Sequence, residues 1–317
     1  GGKMSISLYL QLIFYDRPRD MHVARSKIHK KLDIKLYLET NYANGKIRDL
    51  LLFRFRSMDK LLSQIESSKI SWVDIQDDAY PPYFHQLNDP PLVIFYKGDI
   101  NIALKKTLGI VGTRCPSLMA IKRMELIFSK IKNTVIVSGG ALGIDSYAHQ
   151  LALDNQLPTI AILACGLDLS YPKSNTMLFS QIIEFGGCIL SEYPMTVSPK
   201  PYYFPQRNRL IASLSSKLIV VEAAKRSGAV LTANIASNLA VDVAAMVGSF
   251  NAPESEGCYS LINDGAKIIG NIHDFCFFIN QSYEVQQTFS GMKYHGIEDI
   301  IMKKIPNEPI HLEELAK

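Results

Sequence analysis

The chain has 317 residues, of which 47% are apolar, 20% charged and 9% aromatic, and its formal net charge is +4. This composition excludes a disordered or collagen-like protein, the length is sufficient for about two domains, and so small a net charge does not by itself indicate a nucleic-acid-binding protein. No run of about 18 uncharged apolar residues occurs, so we expect no transmembrane helix and no membrane partner.

Residues 4–76 are predicted to form a small helical domain of about four helices. Apolar residues between positions 50 and 65 recur near the helical period of 3.6, with charged residues between them. Residues 1–60 contain 13 Lys and Arg against 6 Asp and Glu. This basic excess has two interpretations, a solvated helix face or a patch that attracts phosphate.

Residues 77–99 have a different character. Two Pro-Pro pairs, at 81–82 and 90–91, cannot continue a helix, and the run 92–96 is rich in residues that favour strands. We therefore expect an extended segment that contains one strand and begins a second domain, covering residues 77–280.

From residue 106 onward, short apolar runs alternate with helical segments. Such alternation predicts βαβ units in an α/β fold with a doubly wound, mostly parallel sheet. Its ligands are expected outside the carboxyl ends of the strands. The predicted strands are 107–111, 134–138, 158–164, 188–191, 217–222 and 243–247, and the predicted helices are 117–132, 146–155, 174–185, 208–213 and 232–239.

Residues 281–317 are predicted to hold a polar linker and then the beginning of another helical domain. Ile297, Ile300, Ile301 and Ile305 share one helical face. About twenty residues are too few for an independent hydrophobic core, so the third domain would be incomplete.

Two strand ends carry glycine turns that suit an anion. Gly112, Thr113 and Arg114 follow the first parallel strand, where backbone N–H groups and a guanidinium can meet a phosphate. Ser138, Gly139 and Gly140 follow the next strand, and glycines allow close approach of a phosphate. The alternative is a pair of structural turns, in which Asp145 orders the second loop and His149 is an ordinary helix histidine.

Three further strand ends are polar or aromatic. Tyr171 offers a stacking face and Lys173 a point charge in the third loop, while the fifth loop ends in Ser227-Gly228 next to the lone carboxylate of Glu222. The fourth loop places arginine and amide side chains beside aromatic residues, as a single-stranded nucleic acid requires. Its alternative is an aromatic loop packed on the sheet with solvated arginines. The complete candidate set is Gly112, Thr113, Arg114, Ser138, Gly139, Gly140, Lys173, Asn175, Gln206, Arg207, Asn208, Arg209, Ser227 and Gly228.

No catalytic or metal-binding pattern accompanies these loops. The five cysteines are scattered, odd in number and without a CxxC pair, so we expect neither a disulfide framework nor a zinc site. No serine-nucleophile elbow, HExxH motif or carboxylate cluster occurs. We therefore predict a protein without a metal, cofactor or catalytic site, in the reducing cytoplasm.

The motifs resemble those of a known family. The segments GIVGTR (109–114), VSGGALGIDSYAH (137–149), ILACGLDLSYPKSN (162–175), LSEYP (190–194) and the long run from 204 to 233 occur in this order. Together they resemble the DNA-processing protein A family, also called DprA or Smf, and the segment 80–99 resembles its lead-in. More loosely, residues 4–76 resemble the family's small SAM- or HhH-like domain, and residues 298–316 the beginning of its winged-helix domain.

The resemblance implies that the sheet domain is an extended Rossmann-like domain, and it also implies a function. Members of this family bind single-stranded DNA without sequence preference, load the RecA recombinase during natural transformation, form homodimers through the Rossmann domain and are not regarded as enzymes. By motif position, Arg114 and Lys173 would make the main phosphate contacts, the 138–140 loop backbone contacts, and Arg207 and Arg209 further basic contacts. Leu142 stands where many members have arginine, which puts the contribution of that loop in doubt. The homodimer surface would lie late in this domain, within 257–262 and 268–278; the alternative is that these stretches are ordinary core helices and a last strand.

Two other classes of function remain open at this point. The fold is related to that of nucleoside-monophosphate phosphoribohydrolases, called lysine decarboxylase-like, which use a PGGxGTxxE motif. Here the corresponding stretch is RSGAVLTANIA, with Ala or Asn in place of the glutamate. The other possibility is an interaction scaffold in which the glycine loops are purely structural.

Overall fold

The structure is a computed structural model that describes residues 5–28, 31–42 and 45–281. The predicted winged-helix start and nearly all of the predicted linker lie outside the described residues. None of the described helices is both long and apolar enough to cross a lipid bilayer.

Helices form the N-terminal part of the described chain. Ser5 caps the first of them by accepting a hydrogen bond from the N–H of Leu8, and Pro18 begins the second, where a missing N–H has no cost. These helices are α1 (Ile6–Phe14), α2 (Pro18–Lys27), α3 (Lys31–Asn41) and α4 (Gly45–Glu66).

A mixed sheet follows, and its strands in the described part of the chain have the spatial order β1-β2-β6-β5-β4-β3-β7-β8-β9. Strands β3 to β9 are parallel to one another, whereas β1 and β2 form an antiparallel extension beside β6. The strands are β1 (Ser71–Asp74), β2 (Val93–Gly98), β3 (Thr107–Val111), β4 (Val135–Ser138), β5 (Thr159–Ile162), β6 (Cys188–Ser191), β7 (Lys217–Val220), β8 (Asp242–Met246) and β9 (Lys267–Ile269).

The predicted fold class is confirmed, with differences in detail. The sequence pattern predicts β3 and β6 at their observed bounds, and it predicts β4, β5, β7 and β8 to within two residues at each end. No bounds were predicted for β1 and β9, because β9 has only three residues and β1 has a polar residue at each end. The boundary between a helical domain and a sheet domain at 76/77 stays a prediction.

The remaining helices connect the parallel strands. Helix α8 begins at Tyr203, earlier than predicted, because Pro205 stands in its first turn and needs no N–H partner there. Helix α9 begins at Gly228 behind the capping residue Ser227. The helices are α5 (Leu118–Phe128), α6 (Ile144–Asp154), α7 (Thr176–Glu184), α8 (Tyr203–Leu214), α9 (Gly228–Asn238), α10 (Glu256–Asn263) and α11 (Ile272–Phe278).

Both faces of the sheet are buried, which explains the continuous apolar runs of the strands. On β5, Ile160 and Ile162 join the hydrophobic cluster that contains α8 and α9, whereas Ala161 joins the cluster that contains α7 and the N-terminal helices. Strand β3 lies between β4 and β7, so the chain order reverses at the β3/β7 pair. A doubly wound sheet opens a crevice at this switch point.

Candidate nucleic-acid interface

A cavity of about 310 Å³ lies at the carboxyl ends of β3 and β7. The loops after β3, β4 and β7 meet the first turn of α8 there, as the parallel topology requires. We call this space the main cavity. Its lining includes seven residues of the predicted set, namely Gly112, Thr113, Arg114, Arg207, Asn208, Ser227 and Gly228.

Arg114 is the exposed cation at the rim of the main cavity. Its guanidinium carbon lies 5.7 Å from the centre of the Phe204 ring, and the Tyr171 ring lies 5.7 Å from that of Phe204. Tyr171 is 46% exposed. An arginine plane beside exposed aromatic faces is an arrangement that binds phosphates and stacked bases together.

The Arg114 loop is held by its neighbours. The N–H of Thr113 donates to the backbone oxygen of Glu222 at 2.7 Å, and the N–H of Ile144 donates to the oxygen of Thr113 at 3.0 Å. Gly143 has φ of +78°, and a Cβ there would lie 2.4 Å from the oxygen of Thr113. Only glycine fits at this contact, so the second loop fixes the first.

Helix α9 points its N-terminus at the main cavity. The Ser227 hydroxyl accepts a hydrogen bond from the N–H of Val230, and Gly228 has no atom close to a hypothetical Cβ except Asn208 Nδ2 at 3.7 Å. The open approach and the helix dipole together favour a negatively charged group at this position.

A smaller cavity of about 50 Å³ adjoins the main cavity and shares Arg114, Phe204 and Arg207 with it. Leu142, Tyr171 and Pro172 form its outer side, and we call it the Tyr171 hollow. Lys173 follows Pro172 directly and is exposed. Lys173 is thus the residue directly after a wall residue of the hollow that Arg114 also lines.

The glycine loop after β4 turns its polar groups inward. The Ser138 hydroxyl donates to the oxygen of Ile110 at 2.6 Å, and the N–H of Gly139 donates to Asp145 Oδ2 at 3.1 Å. Gly140 is buried, and its oxygen accepts from Asn175 Nδ2 at 3.1 Å. These groups already have hydrogen-bond partners within the protein. Asp145 orders the loop, as the structural interpretation of the sequence predicts.

Arg207 lies beneath the glycine loop and is only 4% exposed. Its Nη1 donates to the oxygens of Gly139 and Ile162, and its Nε donates to Asn208 Oδ1 at 3.2 Å. A Cβ at Gly139 would meet this guanidinium at 2.4 Å, so a larger residue there would displace the Arg207 side chain. Burial raises the pKa of the Asp145 carboxyl, while Arg207 and the loop amides act in the opposite direction.

Arg209 is directed away from the main cavity. Its Nη2 lies 2.6 Å from Glu192 Oε2 and its Nε lies 3.6 Å from Asp89 Oδ1. Burial raises the pKa of the Glu192 carboxyl, and the neighbouring Arg209 opposes that rise. This ion pair joins α8 to the loop after β6.

The other amides of α8 also have internal partners. Gln206 Oε1 accepts from the Tyr193 hydroxyl at 2.9 Å, and Asn208 Nδ2 donates to the oxygen of Gly228 at 3.2 Å. Asn208 therefore connects α8 to the first residue of α9 and shapes the wall of the main cavity.

Two contributions were not apparent in the sequence. Phe204 is the ring beside Arg114, although the motif shows it only as part of an aromatic loop. Glu222 holds the start of α5, since its carboxylate accepts from the N–H of Ser117 at 2.8 Å and from the Ser117 hydroxyl at 2.7 Å. Only the tertiary structure pairs residues so distant along the chain.

The motifs, the fold and the cavity can be compared with known proteins. The family model described as DNA recombination-mediator protein A matches residues 71–280, which is more than half of the chain. The chain belongs to this family. The sequence is 38% identical over 222 residues to the DNA processing protein DprA of Streptococcus pneumoniae, covering 70% of this chain and 78% of that protein. It is 32% identical over 256 residues to the protein Smf of Escherichia coli, covering 80% of this chain and 68% of that protein.

Solved structures of family members agree with this assignment. The crystal structure of DprA from Streptococcus pneumoniae superposes with a TM-score of 0.72 at 31% identity, covering 89% of this chain and all of that one. DprA from Helicobacter pylori, whose structure concerns a single-stranded DNA binding mode, has a TM-score of 0.61 at 31% identity, covering 68% of this chain and 98% of that one. The predicted family and fold are thereby confirmed.

Proposed function

We propose that this protein binds single-stranded DNA without sequence preference at the main cavity and the Tyr171 hollow. The observation that supports this best is the exposed Arg114 guanidinium beside the Phe204 ring, where a charge for phosphate and a face for a base lie together. The Helicobacter pylori relative described with a single-stranded DNA binding mode supports the same ligand class.

Single strands suit this surface better than duplexes. In a duplex the base faces are covered by their neighbours, so the exposed ring of Tyr171 can stack only on an unpaired base. Stacking accepts any base, because every base has a π-face, and backbone contacts carry no sequence information. Binding is therefore expected to depend on strandedness and salt more than on composition.

The proposed contact set is narrower than the one predicted from sequence. Arg114 and Lys173 would supply the charges, and the backbone at Gly112 and the Ser227-Gly228 turn would supply N–H groups. The N–H of Thr113 already donates to the oxygen of Glu222 and would hold the Arg114 loop. The remaining candidates have internal partners and would hold the loops in place. They are Ser138, Gly139, Gly140, Asn175, Gln206, Arg207, Asn208 and Arg209.

The test is a salt-dependent titration of the purified chain with oligo-dT and with a duplex of equal length. Each phosphate contact removed should lower the slope of log affinity against log salt by about 0.7 for a single strand. We expect Arg114→Ala and Lys173→Ala each to weaken binding and to flatten this slope. Lys132→Ala is the matched control, because Lys132 is an exposed cation just before β4, at the opposite edge of the sheet. Unchanged binding in both rim variants would disprove the site.

We further propose that the site does not catalyse a reaction. The nearby carboxylates of Asp145, Glu192 and Glu222 all accept hydrogen bonds from protein donors, and the glutamate of the phosphoribohydrolase motif is absent from RSGAVLTANIA. Incubation with AMP should release no adenine. Release of adenine that Glu222→Gln abolishes would revive the hydrolase alternative.

We propose that the bound strand is delivered to the RecA recombinase in the cytoplasm, in keeping with a family described as a recombination mediator. RecA supplied with single-stranded DNA coated by a single-strand-binding protein should assemble faster in the presence of this chain. The Arg114→Ala variant should not accelerate assembly. If the unaltered chain and the Arg114→Ala variant accelerate assembly equally, the effect on RecA does not depend on this DNA site.

We also propose a homodimer that uses the end of the sheet domain. Strand β9 is an edge strand of the described sheet, and Ile268 and Phe277 beside it are 55% and 80% exposed. An open strand edge with exposed apolar side chains favours pairing with a second copy. Light scattering should give twice the monomer mass, and Phe277→Glu should reduce it.

A further inference from the structure

A third depression lies next to the Tyr171 hollow, between α6 and α7. It has a volume of about 310 Å³, with Tyr147 and Gln150 on the α6 side and Met177 and Gln181 on the α7 side. We call it the α6–α7 groove. Of the predicted contact residues, only Asn175 lines it.

Two chain segments connect the Tyr171 hollow with the groove. Pro172 lines the hollow and Ser174 lines the groove, so Lys173 stands between the two spaces. Leu142 also lines the hollow, and the Ser146 hydroxyl in the groove wall donates to the oxygen of Gly143 at 2.9 Å. Residues on either side of Lys173 therefore line the two spaces, and a strand bound at Lys173 would lie beside both.

The side chains of the groove suit unpaired bases. Tyr147 is 40% exposed and Met177 is 74% exposed, so both present apolar faces to solvent. Gln150 and Gln181 provide amide donors and acceptors without a charge. None of the described residues that line the groove is acidic, so the wall itself does not repel phosphate. Gln150 Nε2 donates to Asp154 Oδ1 at 2.9 Å, and this carboxylate lies one turn further along α6.

We propose that the α6–α7 groove is a second subsite for the single strand, in which Tyr147 stacks on a base of the segment that passes Lys173. This inference rests on the function proposed above and extends it. The main cavity would hold one part of the strand and the groove the adjacent part. The protein would then cover a longer segment of the single strand than the motif loops alone could contact.

The test is a length series of oligo-dT from about 4 to about 16 nucleotides, the range of site sizes found for single-strand-binding domains. Tyr147→Ala should bind the shortest oligonucleotides as tightly as the unaltered chain. It should bind the longer ones roughly fivefold or more weakly, the lower limit for loss of one stacked base. Tyr147→Phe keeps the ring and should bind all lengths normally.

A second variant makes the test independent of the tyrosine. Gln181→Glu introduces a negative charge at the partly exposed wall of the groove and should weaken only the long oligonucleotides. If neither Tyr147→Ala nor Gln181→Glu shows a length-dependent loss, the groove is not a subsite. Equal weakening at every length also contradicts the proposal, because it places the effect in the main cavity.

The two proposals fail in different ways. Arg114→Ala should weaken oligonucleotides of every length, because the main cavity is used by all of them. If Arg114→Ala has no effect at any length, the proposed function is wrong whatever Tyr147 does. If Arg114→Ala weakens all lengths and the Tyr147 and Gln181 variants weaken none, only the subsite is wrong.

Discussion

The arginines at this edge of the sheet have opposite environments. Arg114 is exposed at the rim of the main cavity, beside Phe204. Arg207 and Arg209 lie in a buried polar layer below it, where Arg207 holds the glycine loop and Arg209 pairs with Glu192. All three stand near strand ends in basic motifs, yet only the first is available to a ligand. Burial therefore decides whether a basic residue in these motifs can contact a ligand or instead holds the loops in place.

The buried layer should be the more sensitive region for folding. Arg209→Ala leaves the Glu192 carboxylate buried without its partner, and loss of one member of a buried ion pair costs about 3–5 kcal/mol. We expect the free energy of unfolding, measured by urea titration, to fall by about this amount. Lys132→Ala should change it by less than about 0.5 kcal/mol. Equal stability of the two variants would contradict a structural role for Arg209.

The next largest effect is expected at Gly143, whose backbone packs against the Arg114 loop. Gly143→Ala should lower stability by at least the ~1–3 kcal/mol of a strained backbone, and it should also weaken binding of oligo-dT, because a Cβ would displace the Arg114 loop. Gly186 is the matched control, with φ of +76° and no atom within 4 Å of a hypothetical Cβ. Gly186→Ala should show the backbone cost alone and bind DNA normally. Equal DNA affinity of both variants would mean that the loop contact does not position Arg114.

The buried side chain of His149 is expected to make the stability of the folded chain depend on pH. His149 Nδ1 lies 2.7 Å from the Thr159 hydroxyl, which itself donates to the oxygen of Ile136, so the ring donates there as a neutral group. Burial lowers the pKa of His149 from 6.5 to about 3. Between these values the unfolded state binds a proton that the folded state does not. Stability is therefore lost as the pH falls through this window, at up to about 1.4 kcal/mol per pH unit.

The measurement is the free energy of unfolding at several pH values between 3.5 and 6.5, for the unaltered chain and for His149→Gln. The slope against pH should be smaller in the variant, because the titrating group is gone. The comparison isolates His149 from Asp145 and Glu192, whose raised pKa values act in the opposite direction. Identical slopes would show that His149 does not titrate in this way.

The smallest expected effect concerns the rim alone. Arg114→Lys keeps the charge but loses the flat guanidinium beside Phe204, an interaction of about 0.5–1 kcal/mol at exposed sites. Affinity for oligo-dT should fall a few fold, while its salt slope and the stability of the chain remain unchanged. A slope as flat as that of Arg114→Ala would mean that the lysine does not reach the phosphate.

Much of the fold could be predicted because it depends on local patterns. Strands buried on both faces must be apolar throughout, and those runs are visible between residues 107 and 247. The order of glycine turns after these strands predicts one shared edge, since parallel strands end on the same side. The bounds of strand β9 could not be predicted, because a run of three residues beginning with Lys267 is too short to show a periodic pattern.

The candidate interface could be predicted only in part. Arg114 and Lys173 were expected to face the ligand; Arg114 lines the main cavity, and Lys173 is exposed directly after Pro172, which lines the Tyr171 hollow. The glycine loop was expected to offer its N–H groups, but Gly139 donates to Asp145. Both partners of that bond lie within the one loop motif, yet the sequence does not show which oxygen the amide meets.

By itself, the sequence determined the class of the sheet, the edge at which its loops meet and the family to which the chain belongs. The tertiary structure alone decided which cations face solvent and which are buried, and that Lys173 stands between a residue that lines the Tyr171 hollow and one that lines the groove between α6 and α7. The reason is physical. Periodicity depends on neighbours along the chain, whereas exposure depends on how helices from distant segments, such as α6, α7 and α8, pack around the same loops.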